Sequence, residues 1–109
     1  MLYELRTYII VPGRMEDILR RFADTTIRLF EKHGMTVVGF WQTLEHGMLA
    51  DEIVYVLAHQ DRESRDASFA AFRSDPEWLA AKEESENNGP IVARVTSKFL
   101  TPTAFSALC

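Results

Sequence analysis

The sequence holds one cysteine, and it is the last residue, Cys109. An internal disulfide and a thiolate metal cluster are therefore excluded. A thiol at a chain end is a poor nucleophile, because nothing fixed surrounds it to lower its pKa. No apolar run approaches the ~20 residues of a membrane-spanning helix. A strand-like pattern begins at residue 2, with no charged n-region, apolar h-region or cleavage site, so the expected location is cytoplasmic. Lys and Arg number 12 against 16 Asp and Glu, a net charge of −4. No nucleic-acid partner is expected from that balance, since phosphate binding needs a basic face. The few glycines form no phosphate-cradling loop, nucleophile elbow or dinucleotide fingerprint. His33, His46 and His59 lack the spacing of a metal site on one helix. No metal or cofactor is expected. A haem on His59 would require an apolar cavity beside it.

What is present describes one globular domain. The chain has 109 residues, 47% hydrophobic and 26% charged, which is enough to bury a core without staples. Residues 1–109 are expected to form a single domain, with 101–109 as a C-terminal tail. Residues 1–10 read as a central strand. Tyr3, Leu5, Thr7 and Ile9 share one face; Leu2, Glu4, Arg6, Tyr8 and Ile10 share the other. Apolar spacing then predicts a helix from Met15 to His33, with Arg20, Arg21, Asp24 and Arg28 on its polar side and Gly34 as its stop. Met35–Thr43 reads as a second strand. Strict alternation puts Val37, Gly39, Trp41 and Thr43 on one face, and Thr36, Val38, Phe40 and Gln42 on the other. Leu44–Asp51 reads as a loop turning at Gly47, and Glu52–His59 as a third strand with Ile53, Tyr55, Leu57 and His59 on one side. Asp61 is placed to cap a helix reaching about Arg73 that buries Phe69 and Phe72. Asp75 and Pro76 open a short helix to about Glu86, stopped by Asn87–Pro90. Ile91–Leu100 is the fourth strand.

The order β-α-β-β-α-β is the α+β, ferredoxin-like plan: an antiparallel sheet in spatial order 4-1-3-2 with both helices on one face. The other face is too apolar to stand in water, and a second copy packed sheet against sheet would cover it.

Glu4, Arg6 and Tyr8 are the candidate catalytic residues. Side chains on one strand face stand roughly 7 Å apart, so Arg6 can pair with either neighbour. Facing a barrel interior, they would present an anion-holding guanidinium between a base and a phenol. The alternative is an ion pair that satisfies buried polar groups. Trp41, Tyr55 and Phe40 either line an apolar pocket or pack a core or interface. His59 ends its strand on the Tyr55 face and could reach a barrel mouth. Arg6, Tyr8, Trp41, Tyr55 and His59 are thus the candidate ligand-binding residues. His33 and His46 read as a helix end and a loop residue. Arg94 and Lys98 read as exposed edge charges, and the apolar tail as docked.

Several stretches resemble the NIPSNAP family: Tyr3-Glu-Leu-Arg-Thr-Tyr8, Pro12-Gly13, His33-Gly34, Val38-Gly-Phe-Trp41, Phe72-Arg-Ser-Asp-Pro-Glu-Trp78 and Lys98-Phe-Leu-Thr-Pro-Thr-Ala-Phe-Ser106. They span nearly the whole chain. The resemblance implies a ferredoxin-like subunit pairing into a dimeric α/β barrel. One departure is Phe69, where the family often has tryptophan, which removes an indole N–H donor. Animal members are linked to mitochondria and to proposed vesicle-transport or docking roles. The wider superfamily includes cofactor-free oxygenases, decarboxylases, isomerases and haem enzymes. Two readings follow. One is a homodimer that binds a small, partly apolar or acidic molecule in its barrel, with cofactor-free turnover open to it. The other is a non-catalytic interaction module.

Overall fold

The computed structural model describes all 109 residues. Strand β1 (Leu2–Ile10) pairs antiparallel with β3 (Met48–His59) on one side and β4 (Val92–Leu100) on the other. Strand β2 (Thr36–Glu45) pairs antiparallel with β3, giving the order β2-β3-β1-β4 that the sequence implies. One sheet face is covered by helices. Ile10, Ile53, Tyr55 and Leu57 pack there against Ile18, Phe22, Leu29, Phe30, Phe69 and Phe72. Each such side chain contributes roughly 1.5–3 kcal/mol on burial. The opposite face, with Leu5, Thr7, Ile9, Val54 and Val56 half-buried, carries no helix. At one end of it the tail forms a groove of about 370 Å³, in which Pro102, Ser106 and Leu108 face Tyr3, Trp41 and Val56.

The predicted helix 15–33 is not uniform. It runs as α1 (Met15–Arg21), a π-helical turn (Phe22–Thr26) and α2 (Ile27–Lys32). Within the turn the Thr26 hydroxyl donates to the Arg21 carbonyl at 3.2 Å. Gly34 then stops the helix at φ 84°. Helix α3 (Arg62–Arg73) begins on Asp61, whose Oδ1 accepts the Ser64 N–H at 2.8 Å. Helix α4 (Pro76–Ser85) begins on Asp75, which accepts the Glu77 N–H at 2.9 Å. Asp75 also accepts from Lys32 Nζ at 2.9 Å and His33 Nε2 at 2.8 Å, so one carboxylate ties the end of α2 to the start of α4.

Three expectations are corrected. Helical spacing puts Arg21 on the solvent side of its helix, yet it is 8% exposed. It flanks the apolar stripe on the side where α4 packs, and its guanidinium carbon lies 5.0 Å from the centre of the Trp78 ring. The loop expected over Leu44–Asp51 is mostly strand. Only His46 and Gly47 separate β2 from β3, at φ 53° and 78°, the left-handed pair of a two-residue hairpin turn. The faces expected for β2 also change. A bulge at Val38 sets Val37 opposite Leu57 and Phe40 opposite Tyr55, so both face the helices. Gly39 and Trp41 lie opposite Val56 and Val54 and face away.

Candidate functional site

Strand alternation puts Glu4, Arg6 and Tyr8 on the helix-covered face of β1, beneath α3 and the π turn rather than on the open face. The register sets Arg6 between Tyr55 of β3 and Ser97 of β4. Glu4 is fully buried. Its Oε1 accepts from His59 Nε2 and Arg65 Nε, each at 3.0 Å. Its Oε2 accepts from Arg6 Nη1 at 3.0 Å, Arg65 Nη2 at 2.8 Å and Ser97 Oγ at 2.7 Å. A carboxylate has about four lone-pair sites, so Glu4 has none to spare for a substrate proton. Burial alone would raise its pKa; the hydrogen bonds from Arg65 and Ser97 and the charge of Arg6 outweigh it and bring the group to about 2. Glu4 is a fixed anion and a poor base.

Because ionised Glu4 only accepts, His59 must donate from Nε2, and its Nδ1 is the acceptor nitrogen of a neutral ring. Burial holds the His59 pKa down, against the pull of Glu4 in the other direction. Arg6 spends its other edge on a phenol: Nε donates to the Tyr55 hydroxyl at 2.7 Å. Tyr55 in turn donates to the Tyr8 hydroxyl at 3.1 Å. Burial pushes the Tyr55 phenol well up, although Arg6 pulls it down, so Tyr55 stays protonated. The Phe69 ring lies 4.8 Å from the Arg6 guanidinium carbon and 4.4 Å from that of Arg65.

Glu4, Arg6 and His59 line none of five clefts on the surface. The network meets the surface at Ser97, Arg65 and Tyr8. Tyr8 lines a cleft of about 310 Å³ between α4 and β4, together with Arg21, Trp78, Lys82, Glu86 and Arg94. Arg21 Nη1 donates to Glu86 Oε2 at 3.0 Å and to Ser85 Oγ at 3.1 Å. Its Nε is buried with no acceptor.

The NIPSNAP family profile matches residues 3–107. The chain belongs to the NIPSNAP family. It resembles an uncharacterised NIPSNAP domain protein from Burkholderia xenovorans at 26% identity and a TM-score of 0.79, covering 97% of this chain and 98% of that one. It resembles a NIPSNAP family protein of unknown function from Agrobacterium tumefaciens at 26% identity and a TM-score of 0.83, covering 100% and 94%. A protein from Nitrosomonas europaea, provisionally assigned as an antibiotic biosynthesis monooxygenase, shares the fold at 11% identity and a TM-score of 0.64, over 94% and 98%. No curated protein matches the chain at the same stringency.

Of the residues singled out in this NIPSNAP sequence, Glu4, Arg6, Tyr8, Tyr55 and His59 are joined in one hydrogen-bonded network. Trp41 is not among them. It lies on the far face, 54% exposed, with its ring over Gly39. His59 points into the Glu4 network, with Nε2 3.0 Å from Glu4 Oε1. Sequence reasoning missed Arg65, Ser97 and Arg21. Arg65 stands four residues before Phe69, one turn up the same helix face, which was the available signal. Ser97 faces Glu4 only once the β1–β4 register is known.

Proposed function

We propose that this NIPSNAP protein binds a small, partly apolar anion in the cleft between α4 and β4, and does so as a homodimer. The observation that carries the reading is Arg21, which lines that cleft and whose Nε is buried without an acceptor. A buried N–H without an acceptor costs about 1–3 kcal/mol, and a ligand or its bound water would offset that. Lys82 and Arg94 add positive charge to the rim against one acid, Glu86, while Trp78 and Tyr8 supply apolar wall. The volume is at the low end for small-molecule sites. The expected ligand class is thus kept, but its place moves from the Arg6 face to the Tyr8 end of the network. Arg6 holds Glu4 and Tyr55 in place and leaves the anion to Arg21. Dimer formation is supported by the uncovered sheet face, where Leu5, Ile9, Val54 and Val56 await a partner surface.

Titration with benzoate, followed by NMR at the Arg21 Nε–H, tests the reading. The expected result is a saturable shift of that resonance, with binding lost in Arg21→Gln and not reproduced by benzamide. Shifts confined to other surfaces would overturn it. A docking role has one observation in its favour: Leu44, Met48 and Leu49 stand exposed at the tip of the β2–β3 hairpin, an apolar surface suited to a protein partner.

A further inference from the structure

Hydrogen-bond directions around Tyr8 are fixed by chemistry. A guanidinium has donors and no lone pair to accept with. The 2.7 Å contact between Arg6 Nε and the Tyr55 oxygen therefore runs from Arg6 to Tyr55. The Tyr55 hydrogen must then go elsewhere. Tyr55 is fully buried, and the hydroxyl of Tyr8, at 3.1 Å, is the partner it has. Tyr8 consequently accepts from Tyr55, and its own hydrogen finds no acceptor in the protein. The result is a one-way chain, Arg6 to Tyr55 to Tyr8, that starts on a buried cation and ends on an O–H with no acceptor in the protein, carried by a residue that lines the cleft. Donors in series polarise one another, and a charge at the head strengthens the last donor.

We propose that Tyr8 is the specificity-determining donor of the cleft, and that it selects ligands presenting a single localised oxyanion of the enolate or phenolate type. This rests on the binding reading above. A carboxylate matches the two-pronged fork of an arginine. A lone phenol donor matches one oxygen that carries most of the charge. The chain stabilises negative charge on that oxygen without moving a proton, since Arg6 cannot release one.

The experiment uses 4-nitrophenol as probe, because its anion and its neutral form absorb differently. On the wild-type protein the bound probe is expected to ionise at lower pH than the free probe. Tyr8→Phe keeps the ring and removes the donor; it should cut the preference for the anion by between about tenfold and a hundredfold. Neutral nitrophenol should lose much less affinity in the variant than the anion does. Tyr55→Phe cuts the chain while leaving the Tyr8 hydroxyl in place, and should lose a smaller part of that preference. Full anion preference in Tyr8→Phe, with loss in Arg21→Gln, would mean that rim charge alone holds the anion; that overturns this proposal and leaves the cleft reading standing. No binding to the wild-type protein overturns both. Circular dichroism and melting of each variant show whether it is folded, and Tyr8→Phe, with Tyr8 half-buried, is the conservative arm.

Discussion

Arg65 grips Glu4 side-on, with Nε on one carboxylate oxygen at 3.0 Å and Nη2 on the other at 2.8 Å. This bidentate contact fastens α3 to β1 through the only buried acid of the sheet. A lysine has one charged nitrogen and cannot reproduce two parallel bonds. Arg65→Lys is therefore expected to cost about 1–3 kcal/mol. Glu4→Gln leaves two guanidinium groups beside an uncharged amide and should cost about 3–5 kcal/mol. Chemical denaturation of the variants checks both. A Glu4→Gln protein as stable as wild type would mean that the network is not holding the fold.

The same network sets an acid limit. His59 is held below its ordinary value of 6.5 and Glu4 at about 2 against 4.5. In both cases the unfolded chain takes up the proton more readily. Their contribution is fully present above the unfolded values and is lost as pH falls through the folded ones. The melting temperature should therefore begin to drop below about pH 6.5 and fall further below 4.5. Asp75, held low by hydrogen bonds from Lys32 and His33, adds to the second phase. His59→Gln should flatten the first phase alone. A melting temperature that rises on acidification would contradict this account.

His46 occupies the left-handed region at φ 53°, the first of two such residues in the hairpin turn. Asparagine adopts this conformation readily, whereas a β-branched residue does not. His46→Asn should match or exceed wild-type stability. His46→Val should lose about 1–2 kcal/mol. Thermal melts of the pair decide the matter, and equal stability of the two variants would count against the turn geometry.

The uncovered sheet face gives a prediction for assembly. Val56 lies at its centre, opposite Leu5 on β1 and Gly39 on β2. Wild-type protein is expected to run as a dimer in light scattering. Val56→Arg should yield a folded monomer, since an unpaired cation in an apolar interface is costly. A wild-type protein that stays monomeric at high concentration would remove the dimer from the proposal.

How much of this was legible in the sequence depends on what fixed each feature. The caps at Asp61 and Asp75–Pro76 and the stop at Gly34 are local chemistry, and the helices begin and end there. The period-2 alternation of β1 grouped Glu4, Arg6 and Tyr8 correctly on one face. It did not say which face the helices would cover. The bulge at Val38 hides among residues that are apolar on both sides, so Val37 and Trp41 were grouped together and the structure separates them. The π turn hides because Phe22 and Thr26 fit α-helical spacing equally well. Arg65 and Ser97 reach Glu4 only through tertiary placement, and a single sequence does not supply that.

The donors to Glu4 lie 55, 61 and 93 residues away from it in the chain, apart from its near neighbour Arg6. Contacts of that separation close late in folding, because loop-closure entropy is lost before they form. During synthesis the carboxylate emerges 93 residues before its serine partner, which arrives only with β4. A chain that stalled before β4 would have to bury Glu4 incompletely satisfied or keep β1 in water. The acid thus makes the fold intolerant of premature closure: β1 cannot be sealed stably under its helices until β4 has been made.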